Sequence, residues 1–249
     1  MRVGDVDFHV QTLGRGAPLA LCHGLVVGSL ASWYFSAAPA LARSHRVLLH
    51  DLRGHGLTPR TANGYDVATQ AGDLLGLLHA HFGDEPVDLA GHSFGALIVL
   101  AVARMAPERV RRLALVEAPL PPSRFDELMR FVSLRPEEMV AGLPPDLRAL
   151  VASGGRRGRR FVEHVARLAT ETTCLADLAA EPDIDDEALR RVSTPTLLVY
   201  GTRSACAPVG ERLVATLPHA SLRRIEGGHF LLAEAAASVT AALVEHFDG

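Results

Sequence analysis

Short, almost wholly apolar runs alternate with stretches whose apolar residues recur every three or four positions, and the alternation holds along most of the chain. The start differs. Val6, Phe8 and Val10 alternate with Asp5, Asp7, His9 and Gln11, a period of two that predicts antiparallel strand at the edge of a sheet. Buried strands are expected at 18–22, 46–50, 87–90, 111–117, 196–201 and 221–225. Helices are expected between them: 32–43 with Ser32 as its cap, 65–82 with Asp66 as its cap, 95–106 ahead of Pro107, 208–217 and 230–247. From 118 to 191 the pattern turns to helical segments around 123–133, 136–142, 146–152, 158–180 and 185–191 with no strong strand. The expected fold class is therefore α/β, a doubly wound and mostly parallel sheet. Residues 1–117 and 192–249 would form the core, and 118–191 an inserted helical lid.

Composition agrees with this class and narrows the partners. Of 249 residues, 48% are hydrophobic and only 5% aromatic, which suits helices packed on a buried parallel sheet. A formal charge of −3 supplies no general attraction to nucleic acid or to an anionic membrane. Cys22, Cys174 and Cys206 are odd in number and lack metal-ligand spacing, so neither a disulfide framework nor a bound metal is expected. The polar start, Arg2 to Asp7, carries no apolar leader, and no stretch reaches membrane-spanning length. A cytoplasmic protein, monomeric or homodimeric, that needs no cofactor is the expectation.

Candidate chemistry centres on Gly91-His92-Ser93-Phe94-Gly95, placed where the strand 87–90 hands over to the helix 95–106. A serine at such a sharp reversal needs small neighbours, and the helix N-terminus beside it offers backbone N–H groups to a developing oxyanion. An ordinary glycine-rich turn is the plain alternative for the motif alone. Ser93 is not isolated, however. His23, Glu117, Ser204 and His229 also follow strand ends, where ligands of parallel α/β sheets bind.

With these residues in view the chain resembles the α/β-hydrolase superfamily over nearly its whole length. His23-Gly24 is similar to that family's oxyanion loop, Asp51-Leu52-Arg53-Gly54-His55-Gly56 to the loop after its next strand, Gly91 to Gly95 to its nucleophile elbow, and Gly227-Gly228-His229 to its histidine loop. The resemblance implies Ser93 as nucleophile, His229 as its base, and the N–H groups of Phe94 and Leu25 as the oxyanion hole. An aspartate is implied after the penultimate strand. Here Gly201-Thr202-Arg203-Ser204-Ala205-Cys206-Ala207-Pro208 carries Ser204 in that place, and a serine cannot offer imidazolium a negative charge. Glu117, after the strand that follows the nucleophile helix, is the candidate acid. The other reading leaves Glu117 to loop hydrogen bonds and Ser93 with His229 as a dyad. His92 and His55 are read as structural, and Arg53 as bonding backbone carbonyls.

Substrate contacts are expected from His23, Gly24, Val26 and Trp33 and from Leu120, Phe125 and Met129 in the lid, an apolar set suited to a hydrocarbon-rich acyl group. The run Gly154-Gly155-Arg156-Arg157-Gly158-Arg159-Arg160 is a basic loop, read as a solvated surface or, more sharply, as a dock for an acyl carrier protein delivering a thioester. A serine hydrolase acting on an ester, thioester or lactone is the leading functional class. A non-hydrolytic binding protein and a cofactor-free isomerase or cyclase on the same fold are its rivals.

Overall fold

The computed structural model describes residues 1–25, 27–120, 138, 148 and 156–249, with side chains in the last stretch from 163 onward. Val26, Phe125 and Met129 therefore lie outside the described residues, as do the expected helices at 123–133, 136–142 and 146–152. The opening alternation forms a small hairpin, β1 (Arg2–Val3) with β2 (Val6–Asp7), and then an edge strand, β3 (Val10–Leu13). After it come β4 (Ala17–Cys22), α1 (Leu30–Tyr34), α2 (Ala38–Leu41), β5 (His45–His50), α3 (Val67–Phe82), β6 (Val87–His92), α4 (Phe94–Met105) and β7 (Val110–Val116). The remaining described elements are α5 (Arg156–Glu171), α6 (Cys174–Ala179), α7 (Asp186–Arg190), β8 (Thr196–Gly201), α8 (Ala207–Thr216), β9 (Ala220–Ile225), α9 (Leu231–Glu234) and α10 (Ala236–Asp248).

Seven strands form one sheet in the order β3-β5-β4-β6-β7-β8-β9, with β3 antiparallel to β5 and all other pairs parallel. The apolar strands divide their side chains between its two faces, as a period of two requires. Leu19, Leu21, Val47, Leu49, Ala90, Val116 and Val199 pack with Trp33, Leu41, Leu243 and Phe247 on one side. Ala20, Cys22, Leu48, Leu89, Leu115 and Leu198 pack with residues of α3, α4 and α8 on the other. The α/β expectation holds, with both faces of the sheet covered.

Several local expectations are corrected. The helix expected over 32–43 is two short helices, and its cap is Ser29, whose N–H donates to Ser32 Oγ at 3.5 Å. Pro39 lies in the first turn of α2, where its missing N–H costs nothing, whereas a continuous helix would leave the Phe35 carbonyl without a donor. Ser36 Oγ donates to the Ser32 carbonyl at 2.6 Å and closes the end of α1. The C-terminal helix also divides, at Ala235, and the short α9 carries Glu234 to the Gly228 N–H at 2.8 Å. Backbone from Arg156 to Arg160 is helical, so the arginines read as a loop lie within α5 instead.

Buried histidines make the fold sensitive to acid. Burial pulls the imidazole pKa of His23 and His55 down to about 3 and that of His50 to about 4. In the unfolded chain each would take up a proton near pH 6.5. Between pH 6.5 and 4 the unfolded state thus binds more protons, and folding stability falls as pH falls, by about 1.4 kcal/mol per pH unit for each such histidine. Urea unfolding midpoints measured from pH 7 to pH 4.5 should decline steadily, and replacing His50 by Gln should flatten the decline. A midpoint independent of pH over that range would show that the three rings do not stay neutral in the fold.

Candidate active site

Ser93, Glu117 and His229 are delivered by the carboxyl ends of β6, β7 and β9, strands that run parallel within one sheet. Their backbone is tied to neighbouring strands: Ser93 N–H donates to Val116 O at 2.8 Å and Glu117 N–H to Val199 O at 2.9 Å. Among the described residues these are the two non-glycines with positive φ, Ser93 at 54° and Glu117 at 57°. Such a conformation costs about 1–3 kcal/mol per residue and persists where the surroundings hold it. The flanking glycines permit the turn at Ser93, since a Cβ on Gly91 would stand 2.2 Å from Gly95 O and one on Gly95 would stand 2.5 Å from Cys22 O.

The three side chains form one line. His229 Nε2 lies 2.9 Å from Ser93 Oγ, and His229 Nδ1 lies 3.1 Å from Glu117 Oε2. Glu117 is fully buried, and its other contacts hold it in place: the Gly201 N–H donates to Oε1 and the Ser204 hydroxyl to Oε2. Ser204 Oγ in turn accepts from the Cys206 N–H at 3.1 Å. The residue that stands where an aspartate was implied thus supports a carboxylate coming from the adjacent strand. Burial works against a charged His229 ring, but the Cys206 sulfur, 3.7 Å from Nδ1, and the Glu117 carboxylate outweigh it and hold the imidazole pKa above its ordinary value.

Other expected residues fall into three groups. Gly24 packs against the nucleophile, where an added Cβ would be 3.1 Å from Ser93 Cβ, and Leu25 follows it in the loop; Phe94 directly follows Ser93 as the first residue of α4. Leu120 is buried in the core cluster on the α3–α4 face. Two assignments to substrate contact are corrected. Trp33 is fully buried against the opposite face of the sheet, its indole N–H donating to Cys22 O at 3.0 Å. His23 is equally enclosed, Nδ1 donating to Gly24 O at 2.8 Å and Nε2 accepting from Leu52 N–H at 3.0 Å, so both ring nitrogens are used to join two loops. His92 donates from Nε2 to the His229 carbonyl at 2.9 Å and so fixes the histidine loop.

Arg53 does not bond carbonyls as expected but forks onto Asp73, Nε to Oδ2 at 2.5 Å and Nη2 to Oδ1 at 2.7 Å. A planar guanidinium meets a carboxylate in two bonds, and the sequence contains no signal that pairs 53 with 73. Asp51 is a hub that the loop pattern left unassigned. Its carboxylate accepts from Leu30 N–H at 2.7 Å and Leu57 N–H at 2.9 Å and meets His9 Nδ1 at 2.7 Å. Helices α5 and α6 lie against this same region. Thr173 N–H reaches Ala62 O at 2.9 Å, Tyr65 N–H donates to Asp177 Oδ2 at 2.9 Å, and the His164 and His55 rings stand 5.2 Å apart.

Residues 17–153 match the sequence profile of the alpha/beta hydrolase fold. The chain belongs to that family. Among curated relatives, this alpha/beta hydrolase is 28% identical to the magnesium-chelatase 30 kDa subunit of Rhodobacter capsulatus, over all of its own length and 93% of that protein. It is 32% identical to the dihydrolipoyllysine-residue acetyltransferase component of the acetoin cleaving system of Pseudomonas putida, over 90% of its own length but 61% of that longer protein. Among solved structures, a hydrolase from Pseudomonas aeruginosa superposes with a TM-score of 0.79 at 27% identity, covering 98% of this chain and 96% of the other.

Proposed function

We propose that this alpha/beta hydrolase cleaves an ester, thioester or lactone of a largely apolar acyl substrate through an acyl-enzyme on Ser93. The observation that carries the reading is the unbroken line from Ser93 Oγ through His229 to the buried carboxylate of Glu117. In it His229 takes the hydroxyl proton at Nε2 as Oγ attacks the carbonyl carbon. Glu117, accepting from Nδ1–H, fixes the ring and stabilises the imidazolium that forms. The N–H groups of Phe94 and Leu25 receive the oxyanion, and His229 then returns the proton to the leaving group. Serine at the elbow is suited to acyl transfer. The apolar part of the substrate would meet Leu25 in the oxyanion loop, with 118–191 acting as a lid.

The names of its relatives span a chelatase subunit, an acyltransferase component and a hydrolase, in keeping with a fold that hosts many reactions. Acylation of the serine therefore has to be tested directly. A fluorophosphonate should add once to the protein, by intact mass, and the adduct should vanish in Ser93→Ala. A protein left unlabelled although folded would favour a binding role. The bond cleaved is then assigned by turnover on a panel of esters, lactones and acyl thioesters.

A further inference from the structure

Glu117, Cys206 and His229 are the one group of three potential metal ligands found together among the described residues, their donor atoms all within 4.8 Å of one another. The carboxylate and the imidazole are absorbed by the proposed relay, but the thiol is not. Cys206 Sγ lies 3.7 Å from His229 Nδ1, the same nitrogen that Glu117 Oε2 approaches to 3.1 Å. Around a tetrahedral zinc ion, with bonds of about 2.0 Å to nitrogen or oxygen and about 2.3 Å to sulfur, neighbouring donors stand roughly 3.3–3.6 Å apart. Those two pairs are therefore close to ligand spacing already.

We propose that the acid–base half of this site is also a binding site for a zinc-like divalent ion, which switches the serine off. The donor set of one thiolate, one imidazole and one carboxylate selects borderline and soft ions over magnesium or calcium, which require mostly oxygen. The surroundings orient the ligands: Gly201 N–H and the Ser204 hydroxyl bond Glu117, and His92 bonds the carbonyl of His229. Glu117 and Cys206 are buried, while the His229 side chain is 32% exposed. Cys22 is different: its Sγ stands 4.0 Å from His50 Nε2 and 4.0 Å from the His23 carbonyl oxygen, and it sits in the sheet.

Binding moves protons and no electrons. Cys206 releases its thiol proton to solvent, Nδ1 gives its lone pair to the metal, and the proton of the neutral ring then resides on Nε2. A ring protonated at Nε2 cannot take the proton of Ser93, so the base is lost while the ion stays. The inhibitory part of the proposal rests on the acyl-enzyme reading; metal binding does not.

The full-length protein carrying Ser93→Ala separates the two. Titrated with cadmium, it should take up one equivalent and show thiolate-to-cadmium charge-transfer absorbance, as the wild type should. Cys206→Ser and Cys206→Ala, folded by circular dichroism, should lose the absorbance and bind zinc at least about 100-fold more weakly, since even outer partners of a metal site are worth about 10- to 100-fold. With active wild type, zinc should inhibit at the concentration at which it binds, and EDTA should restore the rate. Each cysteine variant, compared with its own metal-free rate, should need at least about 100-fold more zinc. Unchanged affinity in both cysteine variants, or no uptake by the parent, overturns the site. Uptake by a protein that hydrolyses nothing on the panel upholds the site and rejects the hydrolase reading instead.

Discussion

Ser93→Ala is expected to lower hydrolysis of the best ester or thioester substrate by about 10,000-fold or more, with the fold intact. Alanine removes Oγ, the atom 2.9 Å from His229 Nε2, and with it the only route to an acyl-enzyme. Losing a serine nucleophile costs about a million-fold in kcat where a full triad operates, and the residual rate reflects oxyanion stabilisation and binding alone. The loss should appear in kcat and kcat/KM together, because the interaction exists only on the way to the transition state. Burst kinetics with an activated ester should disappear as well. A variant that turns over at the parental rate would point to His229 acting as a base on the substrate without acylation, the isomerase or cyclase alternative.

Glu117→Gln is expected to cost about 1,000- to 10,000-fold in kcat. The amide keeps the size of the side chain but offers His229 no negative charge, and replacing a triad carboxylate by its amide costs about 10,000-fold where the geometry is otherwise retained. A second readout separates this role from a structural one. His229 is held above the ordinary imidazole range by Cys206 and Glu117 against the effect of burial. The neutral ring is the base, so activity rises with pH as the ring loses its proton. Without the carboxylate the imidazolium is less favoured, and the acid limb of the kcat/KM profile should move to lower pH even as its plateau drops. Ser204 supplies a rescue. Its hydroxyl already touches Glu117 Oε2, so a carboxylate from position 204 would enter the space beside Nδ1. Ser204→Asp added to Glu117→Gln should recover part of the lost rate. Unaltered kinetics in Glu117→Gln would establish a Ser93–His229 dyad.

Ser93 and Glu117 differ in how far the sequence marks them. Ser93 announces itself through Gly91 and Gly95, because a side chain at either would collide with backbone, and such steric demands leave a local signature. Glu117 has none. Its positive φ, its complete burial and its three hydrogen-bonding neighbours at 201, 204 and 229 arise only when β7, β8 and β9 lie side by side. The Arg53–Asp73 fork and the Asp51 hub are of the same kind. Trp33 shows the converse error: a large apolar residue after the oxyanion loop looks like pocket lining, yet the chain reverses and carries it beneath the sheet.

By itself the sequence determined the α/β class, the order of the strands along the chain, the serine at the elbow and the histidine after the last strand. The class, the strands and the elbow serine rest on periodicity and turn chemistry within a few residues, where backbone geometry dictates residue type, and the histidine on its place after the last strand together with the family resemblance. Tertiary structure alone decided that Glu117 and not residue 204 faces His229, that Trp33 is core, and that Cys206 shares Nδ1 with the acid. Those contacts join residues more than twenty positions apart or lying on different faces, and their energies exist only once the parallel strands have brought the loops at their carboxyl ends together.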